Sequence, residues 1–207
     1  MLASVKFQRA LMLILLALVG AIVFIIVTDR GPAVGQPSTH SEFDGGTMPA
    51  HLLAPDFTLT DENGHRVSLA ADRGKVVVLT FIHSLCHDTC PFMVEQIKGA
   101  LNDLPDNGSN VPAIGVSAAQ AEDTPKNRKA FLTKHEMTGR LEFVNGSLPT
   151  MRRIWSEWHI QPVTPKVDHS TFVILIDKRG YERVGFPADQ LTPEGLAHDI
   201  RVLERQS

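Results

Sequence analysis

Lys75-Val-Val-Val-Leu-Thr-Phe-Ile82, followed at once by His83-Ser-Leu-Cys-His-Asp-Thr-Cys-Pro91, is the stretch from which the fold can be read. After Lys75, residues 76–82 form a continuous run of β-branched and apolar residues. Such a run is too short for a buried helix and lacks the alternation of a half-exposed strand, so it predicts a central strand buried on both faces. After Pro91, Met93 or Val94, Ile97, Leu101 and Leu104 recur every three or four residues and predict a helix. Leu104-Pro-Asp-Asn-Gly108 ends it with strong stop signals. The two cysteines therefore lie between the carboxyl end of a central strand and the start of the next helix. Open α/β sheets place their binding sites at such a position.

Outward from this unit the pattern repeats. Upstream, Phe57-Thr-Leu-Thr60 and Val67-Ser-Leu69 flank the turn Asp61-Glu-Asn-Gly-His65 and read as a hairpin. Downstream, Val111-Pro-Ala-Ile-Gly-Val-Ser117 reads as a strand. Asp123-Thr-Pro125 opens a helix containing Phe131, Leu132 and His135, with proline in its first turn. Leu141-Glu-Phe-Val144 is the next strand. A helix from Leu148 or Pro149 to Ile160 carries Met151, Ile154, Trp155 and Trp158 on one face, as core. Thr171–Asp177 and Tyr181–Phe186 form a second hairpin around Lys178-Arg-Gly180, and Thr192-Pro-Glu194 opens a last helix with Leu196, Ile200 and Leu203 inward. Alternating strands and helices closed by a hairpin and a helix predict an α/β sandwich with a mixed central sheet.

The chain has 207 residues, 43% of them hydrophobic and 21% charged, which permits a buried core and excludes global disorder. Twenty Lys and Arg against 23 Asp and Glu leave a formal charge of −3. No basic excess exists to neutralise phosphates, so a nucleic-acid partner is excluded. From Ala10 to Val27 no residue is charged or carries a polar side chain. As a helix this run spans roughly 27 Å, close to the hydrocarbon thickness of a bilayer. The run is longer than the apolar stretch of a signal peptide, the competing reading, and no clear A-x-A site follows it, so an uncleaved single-pass anchor, residues 1–27, is expected. Lys6 and Arg9 before it predict that it sends the remainder to the periplasm across a bacterial inner membrane. Residues 28–50, rich in Gly, Pro, Ser and Thr, read as a flexible tether, and 51–207 as one folded domain.

Cys86 and Cys90 are the only cysteines. Chance would give two cysteines this separation in about 1% of pairs, and two thiols cannot scaffold a disulfide-rich fold, so chemistry is the leading reading. Proline after Cys90 predicts Cys90 as the N-cap of the helix, where unpaired N–H groups favour a thiolate. The pair suits either a reversible disulfide or a metal gripped between two sulfurs. Two thiolates alone make an incomplete site. Of the nine histidines, His87 lies inside the cysteine loop, and His83 ends the strand and is expected to point away. His40, His51, His65, His135, His159 and His198 read as surface or packing residues. His169, in Val167-Asp-His-Ser170 before a strongly apolar strand, is the best third ligand. If that strand runs antiparallel to Lys75–Ile82, its start lies beside the cysteines, with Asp168 able to order the imidazole. Two thiolates and an imidazole suit copper(I) or zinc, and three ligands where structural zinc wants four favour copper.

At these residues the chain resembles the Sco/SenC proteins. The resemblance is carried by Ala54-Pro-Asp-Phe-Thr-Leu59 with Gly64 and Val67-Ser-Leu69, Gly74-Lys75, Cys86-His-Asp-Thr-Cys-Pro91, Asp123-Thr-Pro125, and Val167-Asp-His-Ser170 leading into Leu175-Ile-Asp177. It spans most of 54–180, and CxxxCP with Asp-His-Ser is its specific part. It implies a thioredoxin-like sandwich, copper held by Cys86, Cys90 and His169, and a client such as cytochrome c oxidase subunit II that receives copper or has its cysteines reduced. His87 stands where the family usually has proline. Phe81-Ile-His-Ser84 replaces a stretch like Phe-Gly-Tyr-Thr, and Ala119-Gln120 an Asp-Pro. The expected function is a copper-binding assembly factor rather than an enzyme with turnover. A periplasmic thiol–disulfide oxidoreductase using Cys86 and Cys90 without obligatory copper is the alternative.

Overall fold

In a computed structural model, which describes residues 12–13, 15–21, 41–163 and 172–206, the run 77–82 is the centre of a six-stranded sheet. In chain order the strands are β1 (Gly46–Thr47), β2 (Thr58–Thr60), β3 (Arg66–Ser68), β4 (Val77–Ile82), β5 (Ala113–Ser117), β6 (Glu142–Val144), β7 (Phe172–Ile176) and β8 (Glu182–Pro187). The helices of the folded unit are α1 (Thr89–Asn102), α2 (Pro125–Lys134), α3 (Leu148–Glu157) and α4 (Pro193–Arg205). The sheet order is β1-β8-β7-β4-β5-β6, with β2 and β3 as a separate hairpin. β4, β5 and β6 are parallel, while β7 and β8 run antiparallel to their neighbours. The mixed sheet and the strand–helix alternation are as expected from the sequence.

All six residues of β4 are buried because both faces of the sheet are covered. On one face Val78 and Ile82 pack with Met93, Val94 and Ile97 of α1, Leu132 of α2, and Leu196 and Ile200 of α4. On the other, Val77, Leu79 and Phe81 pack with Phe57, Leu59 and Val67 of the hairpin and with Met151, Ile154 and Trp155 of α3. Each fully buried side chain of this size contributes roughly 1.5–3 kcal/mol, so both layers are needed to hold the sheet. Thr124, Ser147 and Thr192 cap α2, α3 and α4 by accepting the amides of Asn127, Thr150 and Gly195. Each supplies an oxygen to an amide with no partner inside its helix. Gly64 and Gly180, at φ 93° and 89°, close the β2–β3 and β7–β8 turns in a conformation that other residues rarely adopt.

The folded unit begins earlier than the composition suggested. The described residues from Ser41 onward form one compact unit, which takes in residues 41–50 that the composition assigns to the tether. β1 adds an edge strand to β8. The carboxylate of Asp199 on α4, fully buried, accepts the amides of Asp44 and Gly45 at 2.8 and 2.9 Å. Gly and Thr carry no strand pattern of their own; pairing and one buried carboxylate define this segment. The anchor reading falls only partly on described residues. Residues 12–13 and 15–21 are helical, and among the described residues no helix is long and apolar enough to cross a membrane.

Candidate metal centre

Both thiols lie just after β4, Cys86 on the six-residue connection 83–88 and Cys90 in the first turn of α1. The chain leaves β4 at Ile82 and turns back so that Cys86 N donates to His83 O at 3.1 Å. α1 starts at Thr89, with Asp88 as N-cap. Cys90 is therefore the second helical residue rather than the N-cap expected from the sequence. Pro91 then falls third, still within the turn whose amides have no helical partner, so its missing N–H costs nothing. The electrostatic consequence is retained. Cys90 N–H, one of the orphan donors, points at Cys86 Sγ at 3.5 Å, and His83 N–H points at Cys90 Sγ at 3.4 Å. Backbone donors directed at sulfur are the arrangement that stabilises thiolates. Cys86 is partly exposed and Cys90 buried, which leaves one sulfur at the surface and one anchored in the core beneath it.

The loop is held from below by Asp123, which is fully buried. One carboxylate oxygen accepts Ser84 N at 2.7 Å and Ser84 Oγ at 2.6 Å. The other accepts Ser117 Oγ at 2.5 Å and Ala119 N at 3.3 Å. The carboxylate thus joins the ends of two parallel neighbouring strands, β4 and β5, two residues before Cys86. Asn145 ties the next loop to the same place, donating to the carbonyls of Gln120 and Asp123 at 3.0 Å. In the sequence Asp123 read as part of a helix start and of the family resemblance, with no role at the cysteine loop. Serines at the ends of adjacent strands, with an acid shortly after the second, were the signal available.

The histidines separate clearly. His83 is buried, with Nε2 2.9 Å from Glu122 Oε2, a contact off the line of a hydrogen bond. His87 is exposed. His135 stacks on Phe131, with centroids 4.7 Å apart, and meets Glu95 at 3.2 Å. Glu95 is held below its ordinary value chiefly by a hydrogen bond with Lys98, with His135 adding to it. The antiparallel register required for His169 is present. Val77 pairs with Ile176 and Thr80 with Val173, and Thr80 Oγ1 donates to Phe172 O at 3.0 Å. The start of β7 therefore lies beside the end of β4. His169 and Asp168 themselves lie outside the described residues. Around the thiols, Leu85 and Phe92 are each 45% exposed, and Asp88 and Glu122 form an acidic margin with no Lys or Arg between residues 83 and 97.

The SCO1/SenC family model matches residues 45–204. The chain is 29% identical over 161 residues to the SenC protein of Rhodobacter capsulatus, a match covering 75% of this chain and 72% of that protein. It is 27% identical over 140 residues to the sco1 protein of Schizosaccharomyces pombe, covering 62% of this chain and 52% of that protein, so the match spans about half the length of this relative. Among solved structures, ScoI of Bradyrhizobium japonicum with copper bound superposes with a TM-score of 0.64 at 26% identity, over 73% of this chain and 99% of that one. BsSco, a Sco-family cytochrome c oxidase assembly protein described with a disulfide switch, shares the fold at a TM-score of 0.66 and 21% identity, over 78% of this chain and 99% of that one. With a mixed-sheet sandwich, two thiols at the end of its central strand and a family match over most of its length, this chain belongs to the SCO1/SenC family.

Proposed function

We propose that this protein is a membrane-anchored, periplasmic copper-binding assembly factor. Copper is its cargo, taken by the thiolates of Cys86 and Cys90 with His169 as third ligand. It is passed to a client such as the copper centre of cytochrome c oxidase subunit II, or the same thiols reduce that client's cysteines. The observation that carries the reading is the pair of sulfurs on one short passage, each receiving a backbone N–H. Thiolates are soft donors that select copper(I). Partial exposure of Cys86 gives a client's ligand a sulfur to approach. Leu85 and Phe92 beside it supply apolar surface for contact. The copper-bound ScoI relative supports the same cargo. Residues 10–27 would anchor the protein. Met12, Leu13, Leu15, Leu16, Leu18 and Val19 are each more than half exposed on helical chain, a surface that suits lipid better than water.

A specific observation also favours dithiol chemistry: the Cys90 amide lies 3.5 Å from Cys86 Sγ, so the loop entering α1 brings the two cysteines together. Anaerobic copper(I) competition on reduced protein beginning at Ser41 tests the two readings. One tightly held copper per chain is expected. Failure of the reduced protein to retain copper in the face of a moderate chelator overturns the copper reading and leaves thiol–disulfide exchange as the function.

A further inference from the structure

The sheet is distorted to turn one carboxyl into an apolar wall. In β8, Val184 and Phe186 face the layer of α1 and α4, and regular alternation would place Glu182 with them. The pairing breaks that alternation. Leu175 lies opposite Val184 and Ile176 opposite Glu182, one step on β7 against two on β8. The bulge at Arg183 puts Glu182 on the opposite face, with Ile174 and Ile176, in the layer that holds α3. Bulges re-aim side chains in this way and recur beside functional sites.

On that face Glu182 is 7% exposed. Burial alone pushes its carboxyl up to about 7. Among the described residues no group hydrogen-bonds it. It lies in the wall of a cleft of about 290 Å³ whose other walls include Met48, Trp158, Phe172 and Ile174, with the exposed Glu157 and His159 at the rim. Leu52 and Leu53, 38% and 57% exposed, stand at its margin. Trp158 is itself 96% buried with Nε1 unpartnered. An unpaired carboxyl in an apolar wall is costly. A ligand that brought N–H donors and an apolar body would offset that cost with complementary charge, ring contacts and burial of the exposed leucines.

From the bulge, the unpartnered carboxyl and the apolar cleft around it, we infer that this cleft binds a small amphiphilic amine, its ammonium on Glu182 and its apolar body against Trp158, Phe172 and Met48. The cleft includes neither thiol, and the inference does not rest on the proposed copper function. The probe is phenethylamine, titrated at pH 8 into the metal-free full chain in a nonionic detergent, read by tryptophan emission and thermal stabilisation. Phenethyl alcohol serves as the uncharged body, and a blocked lysine amide as the side chain a protein partner would offer. Saturable binding of phenethylamine is expected, at least tenfold weaker in Glu182→Gln and several-fold weaker in Leu53→Ser, a change at a side chain 57% exposed. Equal partition into detergent cancels in the comparison between variants. Equal binding to Glu182→Gln, equal binding of the alcohol, or no saturable binding at millimolar amine overturns the inference. Binding of the lysine amide in preference to phenethylamine overturns it in favour of a protein segment.

Discussion

Replacing Asp123 by Asn tests whether the carboxylate beneath the cysteine loop organises the site. The change is isosteric, so it alters hydrogen bonding with almost no change in volume. Asp123 accepts from Ser84 N, Ser84 Oγ, Ser117 Oγ and Ala119 N, at 2.7, 2.6, 2.5 and 3.3 Å. Asn has one acceptor oxygen. If that oxygen keeps the two Ser84 donors, an NH2 group faces Ser117 Oγ and Ala119 N. The hydroxyl can rotate to accept, but the amide of Ala119 cannot. Charge-assisted bonds contribute about 1.5–3 kcal/mol each, and an unsatisfied buried donor costs about 1–3 kcal/mol. A loss of roughly 2–4 kcal/mol is expected, lowering Tm by about 5–15 °C for a domain of this size. Urea unfolding of reduced, metal-free protein measures it. Copper(I) affinity should fall further than in Leu203→Ala, a core change on α4 expected to cost a comparable roughly 2–5 kcal/mol. Stability within about 0.5 kcal/mol of wild type, or copper affinity no lower than in Leu203→Ala, would refute the clamp.

Four further outcomes are expected. Glu182 is raised from an ordinary 4.5 to about 7, so the folded state binds its proton more tightly than the unfolded state. Its contribution is fully present below about pH 4.5 and is lost as pH rises through 7, by roughly 3 kcal/mol; Glu182→Gln should therefore gain stability relative to wild type between pH 5 and 8, and an unchanged difference across that range would sink the argument. Cys86 and Cys90 should form one intramolecular disulfide on mild oxidation and then bind copper poorly; two thiols still titrating afterwards would show that they do not act as a pair. His169→Ala should keep two-coordinate copper(I) but lose most copper(II) affinity and its thiolate charge-transfer absorption, while His87→Ala and His135→Ala change little; wild-type behaviour of His169→Ala towards both oxidation states would disprove the three-ligand site. A periplasm-dependent reporter fused after Ser207 should be active, and activity only from a cytoplasm-dependent reporter would reverse the topology.

The elements legible in the sequence are those whose causes are local. β4 is a continuous apolar run, and a strand buried on both faces needs nothing else to be recognised. Thr124, Ser147 and Thr192 each precede a proline by one or two positions and cap a helix through an amide three residues on, a contact within one turn. The cysteine spacing belongs to the same class. Both thiols sit on one connection, so their nearness follows from chain length alone, whereas the antiparallel pairing of β7 with β4 was only a condition in the sequence and is supplied by the sheet.

What only the tertiary structure decided depends on partners distant in the chain. β1 exists because Asp199, more than 150 residues away, accepts the amides of Asp44 and Gly45. The position of Cys90 within α1 depends on how the loop closes against His83, which shifts the helix start by two residues. Asp123 reaches back 39 residues to Ser84. Glu182 faces the α3 layer only because β8 carries one more residue than β7 at that point. A strand's alternation can be read from its own residues, but a bulge is a relation between two strands, and nothing in either sequence alone records it.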